Sequence, residues 1–171
     1  MEARFAAAPD LDDLAASIRG TIIRPGDPRY DDARQVLNRA YDLRPTAIVE
    51  VANDGDVALA VSFARRAGLE LAVRSGGHSA AGHSGTDGGI LIDLSGLKGL
   101  YIDPARRVAW AGAGVTAGEF TEAAAAHGLA TPFGDTASVG LGGLTLGGGI
   151  GFLARKHGLA IDNLLAVELV T

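Results

Sequence analysis

Apolar positions along the chain switch between helical and strand spacing, and the switches divide it into short elements. Leu11, Leu14 and Ile18 recur at helical spacing behind Asp10, which predicts a capped first helix. The segment from Gly20 to Pro28, G-T-I-I-R-P-G-D-P, breaks the pattern and reads as a loop. Helical spacing resumes from Asp31 to Tyr41 through Ala33, Val36, Leu37 and Ala40, and Pro45 then precedes a strand at Ala47-Ile48-Val49-Glu50-Val51. Asn53 is a good N-cap for a helix from Asp54 to Ala67, with Val57, Ala60, Val61 and Ala64 on one face and Gly68 as its stop. Glu70-Leu71-Ala72-Val73 follows as a short buried strand, which predicts a βαβ unit with parallel strands and a right-handed crossover.

Beyond that unit the pattern moves away from βαβ repetition. Ile90-Leu91-Ile92-Asp93-Leu94 predicts a third strand, and Leu100-Tyr101-Ile102 with Arg107-Val108-Ala109-Trp110-Ala111 predicts a hairpin turned by Asp103-Pro104. Trp110 falls within the strand alternation and reads as a core residue. Thr116 caps a helix from Ala117 to His127 that Gly128 ends, Asp162-Asn163 reads as a cap or turn, and 164–170 (L-L-A-V-E-L-V) predicts a final strand. The fold class expected from this order is α+β.

Composition narrows the chemistry. The chain has 171 residues, enough for one domain or two small lobes, and a net charge of -5 with no basic stripe, which argues against a nucleic-acid partner. No apolar run approaches the ~20 residues of a membrane span, and Met1-Glu2-Ala3-Arg4-Phe5 lacks the order of a signal peptide, so the cytoplasm is the expected location. The absence of cysteine removes disulfides and thiolate chemistry, and the 4 histidines show no metal-site spacing, so no metal is expected. Glycine stands out: there are 25, about twice the ~7% average usage, clustered rather than periodic.

Two glycine clusters carry the candidate site. The first is Arg74-Ser75-Gly76-Gly77-His78-Ser79, where paired glycines after a strand allow a sharp turn whose successive N–H groups make an anion-binding concavity. Arg74 adds positive charge and Ser75 a hydroxyl donor, so the loop suits a pyrophosphate. The second runs from Gly134 to Gly151, where two tight turns separated by Leu144-Thr145-Leu146 would present further N–H groups to a long polar ligand. Glycines that only permit bulges and close packing are the alternative reading of this run. A separate stretch, Gly112-Ala113-Gly114-Val115-Thr116-Ala117, fits G-x-G-x-x-A after a strand and before a helix. As a nicotinamide fingerprint it lacks its partner, an acidic residue closing a second parallel strand ~20 residues on.

The segments R-S-G-G-H-S, G-T-D-G-G-I-L-I-D-L-S, G-A-G-V-T-A-G-E and G-L-G-G-L-T-L-G-G-G-I-G-F-L-A-R-K-H-G-L-A-I-D-N, in that order, resemble the berberine-bridge-enzyme-like branch of the vanillyl-alcohol oxidase flavoproteins, and the bacterial 6-hydroxy-D-nicotine oxidase group most closely. The resemblance runs from about Ile23 to the C-terminus. It implies a two-lobed FAD-binding domain of the type shared with p-cresol methylhydroxylase, with a small α/β lobe of parallel strands, a mixed or antiparallel lobe with helices, and FAD between them. The expected division is 1–22 as a helical lead-in, 23–98 as the first lobe and 99–171 as an incomplete second lobe, without the substrate domain that full members carry.

The same resemblance implies that Arg74, Ser75, Gly76, Gly77, His78 and Ser79 wrap the pyrophosphate of FAD, with Thr136, Ser138, Val139, Gly140, Gly142, Gly143, Gly148, Gly149 and Gly151 completing the cofactor site. His78 stands where the family bonds covalently to the 8α-methyl carbon of the flavin, which suits a neutral imidazole nucleophile. A histidine merely hydrogen-bonded in a loop is the alternative. Many members add a second link through cysteine, but Thr136 stands at that position, and Leu144 stands where plant-type members have histidine. His83 is a further candidate for lining the site, whereas His127 and His157 read as surface residues. The implied activity is transfer of a substrate hydride to flavin N5, with dioxygen as acceptor and a small molecule as substrate. The catalytic base is unknown, because it would come from the absent domain. Two alternatives stand beside it: a flavin-binding fragment, inactive alone, that associates with the rest of the enzyme, and a nicotinamide-binding dehydrogenase domain.

Overall fold

The computed structural model describes residues 10–171; the N-terminal pentapeptide read above lies outside them. The first lobe is a four-stranded sheet of order β1-β2-β4-β3, built from β1 (Thr21–Ile23), β2 (Ala47–Glu50), β3 (Leu71–Arg74) and β4 (Ile90–Asp93). β2 and β3 both pair with β4 in parallel and β1 pairs with β2 antiparallel, so the strands of the expected βαβ unit are parallel but not neighbours. Every residue of β4 is buried, as a strand covered on both faces requires. β3 is an edge strand instead, as β1 is on the other side, and its Val73 is half exposed rather than buried.

One face of this sheet packs Ala47, Val49, Ile90 and Ile92 against α3 (Asp54–Ala67) through Ala60, Phe63 and Ala64, and the other joins Ile48, Leu91 and Ala72 to Ile23 and Tyr30. α3 starts and stops as its sequence demands: Asn53 accepts from the Asp56 N–H at 3.1 Å, and Gly68 ends it in the left-handed region at φ 65°. α1 (Leu11–Ser17) packs on the same core through Leu14, with Leu11 and Ile18 beside it. β1 begins at Thr21, inside the segment read as a loop, and α1 shares the core of the four-stranded sheet.

Asp56 ties these parts together. Its carboxylate accepts from the backbone N–H groups of Arg19, Gly20 and Ala52, each at 2.9 Å, and so joins the approach to β1, the end of β2 and the first turn of α3.

The helix expected over 31–41 is only α2 (Tyr30–Ala33) followed by turns. Tertiary hydrogen bonds outcompete its continuation. The Leu37 N–H donates to the Gly77 carbonyl at 3.1 Å, and the buried Arg34 guanidinium bonds Asp31, Asp42 and the Leu43 carbonyl.

The second lobe begins with the antiparallel hairpin of β5 (Leu100–Asp103) and β6 (Val108–Ala111). Leu100, Ile102, Ala109 and Ala111 face α4 (Ala117–Ala125) and a core of Val115, Phe120, Ala124, Leu141 and Leu144. Trp110 faces the other way, 53% exposed and paired across the hairpin with Tyr101; one covered face leaves alternate residues outside, so the core assignment of Trp110 is corrected. Thr116 and Glu119 form a reciprocal capping box on α4.

Two further expectations change here. The glycine-rich run contains α5 (Leu141–Leu146) where two turns separated by an apolar spacer were expected, and α6 (Ala154–His157) follows it. The strand expected over 164–170 belongs to no ladder, and all of its residues are exposed; among the described residues no strand lies beside it. Asp162 and Asn163 do form a turn, in which Asp162 accepts from the Leu159 N–H at 2.8 Å and Asn163 donates to the His157 carbonyl at 2.9 Å.

Candidate functional site

The loop after β3 and the segment before α5 meet backbone to backbone. A Cβ placed on Gly76 would strike the Gly140 amide and lie 3.0 Å from the Ser138 carbonyl; one placed on Gly140 would strike Ser75 Oγ and lie 2.5 Å from the Gly76 amide. Only glycine at both positions allows this approach. Gly77 is required for a different reason, since it holds φ 72° at the turn.

Both sides of the junction are tied to the second lobe, the first-lobe loop by a bond that crosses to Ala113. Ser75 Oγ donates to the Ala113 carbonyl at 2.5 Å, while the segment 137–141 is held by Gly118 N–H to the Ala137 carbonyl, Ala117 N–H to the Val139 carbonyl and Leu141 N–H to the Val115 carbonyl, at 2.8–2.9 Å. Gly142 stacks on the same seam, near Ala113 and Ser75. The seam brings Ser138 Oγ to 3.0 Å from His78 Nε2 across 60 residues of sequence.

The electrostatics of the loop differ from the expectation for Arg74. Its guanidinium is buried, bonding Asp93 Oδ2 through Nε at 3.2 Å and Nη2 at 2.5 Å and the Gln35 carbonyl through Nη1 at 3.1 Å. Arg74 and Asp93 are register partners at the ends of β3 and β4, so the charge is neutralised beneath the loop. Arg74 therefore braces the turn, with most of its donors already committed. What the loop offers an anion is its backbone. Among the described residues no acceptor takes the N–H groups of Gly76, Gly77, His78 or Ser79, nor those of Gly140, Gly142 and Gly143. Gly77 and Gly140 are buried, where an unpaired amide is unusual. Unpaired amides on two touching loops suit the pyrophosphate of FAD, with the imidazole of His78 bonded across the junction to Ser138.

An open cleft of about 360 Å³ adjoins this junction at the C-terminal ends of β2, β3 and β4. Its walls combine Glu50, Arg74, Asp93 and Ser75 of the first lobe with Gly114 and Thr116 of the second. This is the place where open parallel sheets bind ligands. The loop at Gly112–Ala117 is part of that wall, not a nicotinamide fingerprint: an antiparallel hairpin precedes it, and a Cβ on Gly114 would press against the Leu94 and Ser95 backbone.

The remaining candidates are spread out. Thr136 is exposed and donates to Asp135 at 3.0 Å, and Val139 packs on the second core. The carbonyls of Gly148, Gly149 and Gly151 accept from Ile161, Ala160 and Ala154, so these three glycines pack the second lobe upon itself and lie outside the seam. Ser79 Oγ accepts from the His83 N–H at 3.2 Å; the His83 side chain is exposed, as are His127 and His157. Sequence reasoning missed Asp93, Gln35 and Ala113, which hold the loop. Asp93 carried a signal, a charged residue closing an apolar strand; the other two act through backbone carbonyls and carried none.

Residues 45–171 match the FAD binding domain family. Among curated relatives, (R)-6-hydroxynicotine oxidase of Paenarthrobacter nicotinovorans is 43% identical over 91% of this chain and 34% of its own length. An uncharacterized FAD-linked oxidoreductase of Bacillus subtilis is 38% identical over 91% of this chain and 35% of its own. Among solved structures, 6-hydroxy-D-nicotine oxidase from Arthrobacter nicotinovorans superposes with a TM-score of 0.85 at 41% identity, covering 92% of this chain and 33% of that one. A BBE-like protein of Physcomitrella patens gives 0.85 at 33% identity, covering 90% and 34%. The chain thus spans about a third of the length of the relatives it matches, 6-hydroxynicotine oxidase and BBE-like proteins among them, and it belongs to the FAD binding domain family.

Proposed function

We propose that this chain is the FAD-holding part of an oxidase-type flavin oxidoreductase and that His78 carries the flavin covalently. The observation that supports this best is the seam itself, where Gly76 and Gly140 touch and leave unpaired amides on both loops with His78 beside them. Bound FAD supplies the chemistry, accepting a substrate hydride at N5 and passing electrons to dioxygen. The chain's own residues bind and orient. The amides of Gly76 to Ser79 hold the pyrophosphate, the Arg74–Asp93 pair keeps the turn rigid from below, and the half-buried His78 presents its ring at the edge. Thr136 offers no thiol, so attachment is single. The substrate is a small molecule, bound with residues outside this chain, and the location is cytoplasmic.

Purified protein should be yellow and keep its flavin through acid precipitation, and His78→Ala should release the flavin without unfolding the protein. Acid-stable flavin persisting in His78→Ala would reject the attachment. Peroxide formation with candidate substrates tests the oxidase chemistry.

A second reading, binding of FAD without turnover until a partner polypeptide docks, is favoured by one observation. Leu146, Phe152, Leu165 and Leu169 are 88%, 89%, 79% and 75% exposed on the second lobe. Its partner is a polypeptide equivalent to the remaining two-thirds of the relatives. Peroxide formation by the isolated chain would exclude this reading.

A further inference from the structure

We propose that the exposed apolar face of the second lobe pairs two copies of this chain, with residues 164–170 of one copy adding as an antiparallel strand to 164–170 of the other. The pairing goes beyond the flavin reading and needs no FAD. Leu146, Ile150 and Phe152 are 88%, 74% and 89% exposed on one stretch of this lobe, and Leu165, Val167 and Leu169 are 79%, 61% and 75% exposed on another. The two stretches adjoin. The N–H groups of Ala160 and Ile161 donate to the carbonyls of Gly149 and Gly148 at 2.9 and 3.1 Å, so the chain enters 164–170 from beside the first stretch. Six large apolar side chains, each mostly exposed, present on the order of 800 Å² between them. That is more than the roughly 300–600 Å² patch of an ordinary monomer, and it is the size of the ~800 Å² that each partner buries in a standard interface.

The occupant follows from the segment itself. Residues 164–170 have strand composition, and among the described residues no backbone group of 165–170 bonds another backbone group, which leaves a row of donors and acceptors open to a further strand. An antiparallel pair centred on Val167 sets Val167 opposite its own copy, Leu165 opposite Leu169 and Leu169 opposite Leu165. Strand alternation puts all six of these side chains on one side of the ribbon as a continuous apolar stripe. Glu168, the single charge of the segment, falls on the other side and meets Ala166, so no like charges stand directly opposite each other. The stripe needs a cover, because a lone two-stranded ribbon is marginal in water. Leu146, Ile150 and Phe152 of both copies supply it. The pairing is isologous and closes on itself, so it stops at two copies. The polypeptide of the second reading would have to displace the second copy from this face.

Sedimentation equilibrium and light scattering on the 171-residue chain test the pairing. The mass should rise from the 17.4 kDa of one chain to about double as the concentration passes from roughly 0.1 to 100 µM, in FAD-loaded and FAD-free protein alike. Leu165→Lys with Leu169→Lys sets lysine opposite lysine, and Leu165→Glu with Leu169→Glu sets glutamate opposite glutamate, so each double variant should bind itself at least about 100-fold more weakly. Mixed in equal amounts, the two should form a heterodimer, because each lysine then meets a glutamate. Phe152→Ser should weaken the dimer about tenfold, and Trp110→Ser, on the outer face of the β5–β6 hairpin, should leave it unchanged. Far-UV circular dichroism should match wild type in every variant, since all the changed side chains are exposed. Wild-type protein that stays at one mass up to about 100 µM or assembles beyond two copies would overturn the proposal. Charge variants that dimerise alone, a mixture of them that remains monomeric, or a monomer from Trp110→Ser would do the same. None of these results touches the flavin assignment, which colour and acid stability read separately.

Discussion

The seam between the glycine loops makes a sharp prediction at Gly140. In Gly140→Ala the new methyl would lie 2.5 Å from the Gly76 amide and 2.8 Å from Ser75 Cβ, and would collide with Ser75 Oγ. Ordinary contact begins near ~3.5 Å, so the two backbones must part by roughly 1 Å. Ser75 cannot simply rotate away, because its hydroxyl is bonded to the Ala113 carbonyl at 2.5 Å. Overpacking of this kind costs about 1–3 kcal/mol and the lost hydrogen bond about 1 kcal/mol more, giving roughly 2–4 kcal/mol. At about 2–4 °C per kcal/mol for a domain of this size, the melting temperature should fall by roughly 5–15 °C. The amides of the two loops should also lose their convergence and weaken FAD binding by about tenfold or more. Differential scanning fluorimetry and FAD titration read both effects. Gly143→Ala is the matched control: nothing lies within 4 Å of its Cβ position, and it sits in α5, where alanine is the better helix former by about 0.5–1 kcal/mol. Its melting temperature should stay or rise. A Gly140→Ala protein that melts within about 1 °C of wild type, or a Gly143→Ala protein that falls as far, would refute the close-contact argument.

Asp56→Asn should cost roughly 3–5 kcal/mol in urea unfolding at neutral pH, since it weakens three backbone hydrogen bonds to a buried carboxylate. Burial pushes this carboxyl up, but the N–H groups of Arg19, Ala52 and Gly20 outweigh it and hold it below the ordinary value. Its folded pKa thus lies below the unfolded one. The Asp56 contribution is fully present above about pH 4 and fades as pH falls through the folded value, so the gap between wild type and Asp56→Asn should narrow on acidification; a gap constant from pH ~6 to ~3 would sink the argument. Arg74→Met strands the buried Asp93 carboxylate and should destabilise by about 3–5 kcal/mol, whereas Arg74→Met with Asp93→Leu should recover most of that; equal losses in chemical denaturation would contradict the ion-pair reading. Glu119 is held down to about 2, first by the hydrogen bond from Lys98 and then by the Thr116 N–H, so its share of α4 stability should be lost between about pH 4.5 and 2. Melting curves of Glu119→Gln should lack that component of the acid transition.

Elements whose determinants are local were legible in the sequence. α3 and α4 carry their caps within three residues, at Asn53–Asp56 and Thr116–Glu119, and the hairpin of β5 and β6 carries its turn between its strands. Elements decided by distant partners were not. The 31–41 segment has helical spacing, yet its Leu37 amide goes to Gly77 on the cofactor loop, and Arg34 folds the chain back on Asp42. β1 lies in a segment punctuated by Gly20 and Pro25, and it becomes a strand only because Ile22 pairs with Val49 of β2. The 164–170 segment has strand composition, but among the described residues no strand neighbours it, and apolar composition alone cannot create a ladder.

The site divides in the same way, and the division bears on how it works. Glycine composition revealed close approach at residues 76 and 140 but not what approaches; one face of that contact is chain against chain, which leaves the amides for the ligand. Arg74 read as a free cation because its neutraliser, Asp93, becomes adjacent only through the register of two parallel strands. His78 was legible as the candidate anchor of the proposed flavin, but its surroundings come from both lobes. The first holds its loop through the Leu37 N–H and the Arg74–Asp93 pair, and the second holds its ring through Ser138. The reach of His78 is therefore set by how the lobes seat on each other at Gly76 and Gly140. A change along that seam should therefore disturb the proposed flavin attachment while each lobe keeps its own hydrophobic core, so its stability cost falls on the docking of the lobes.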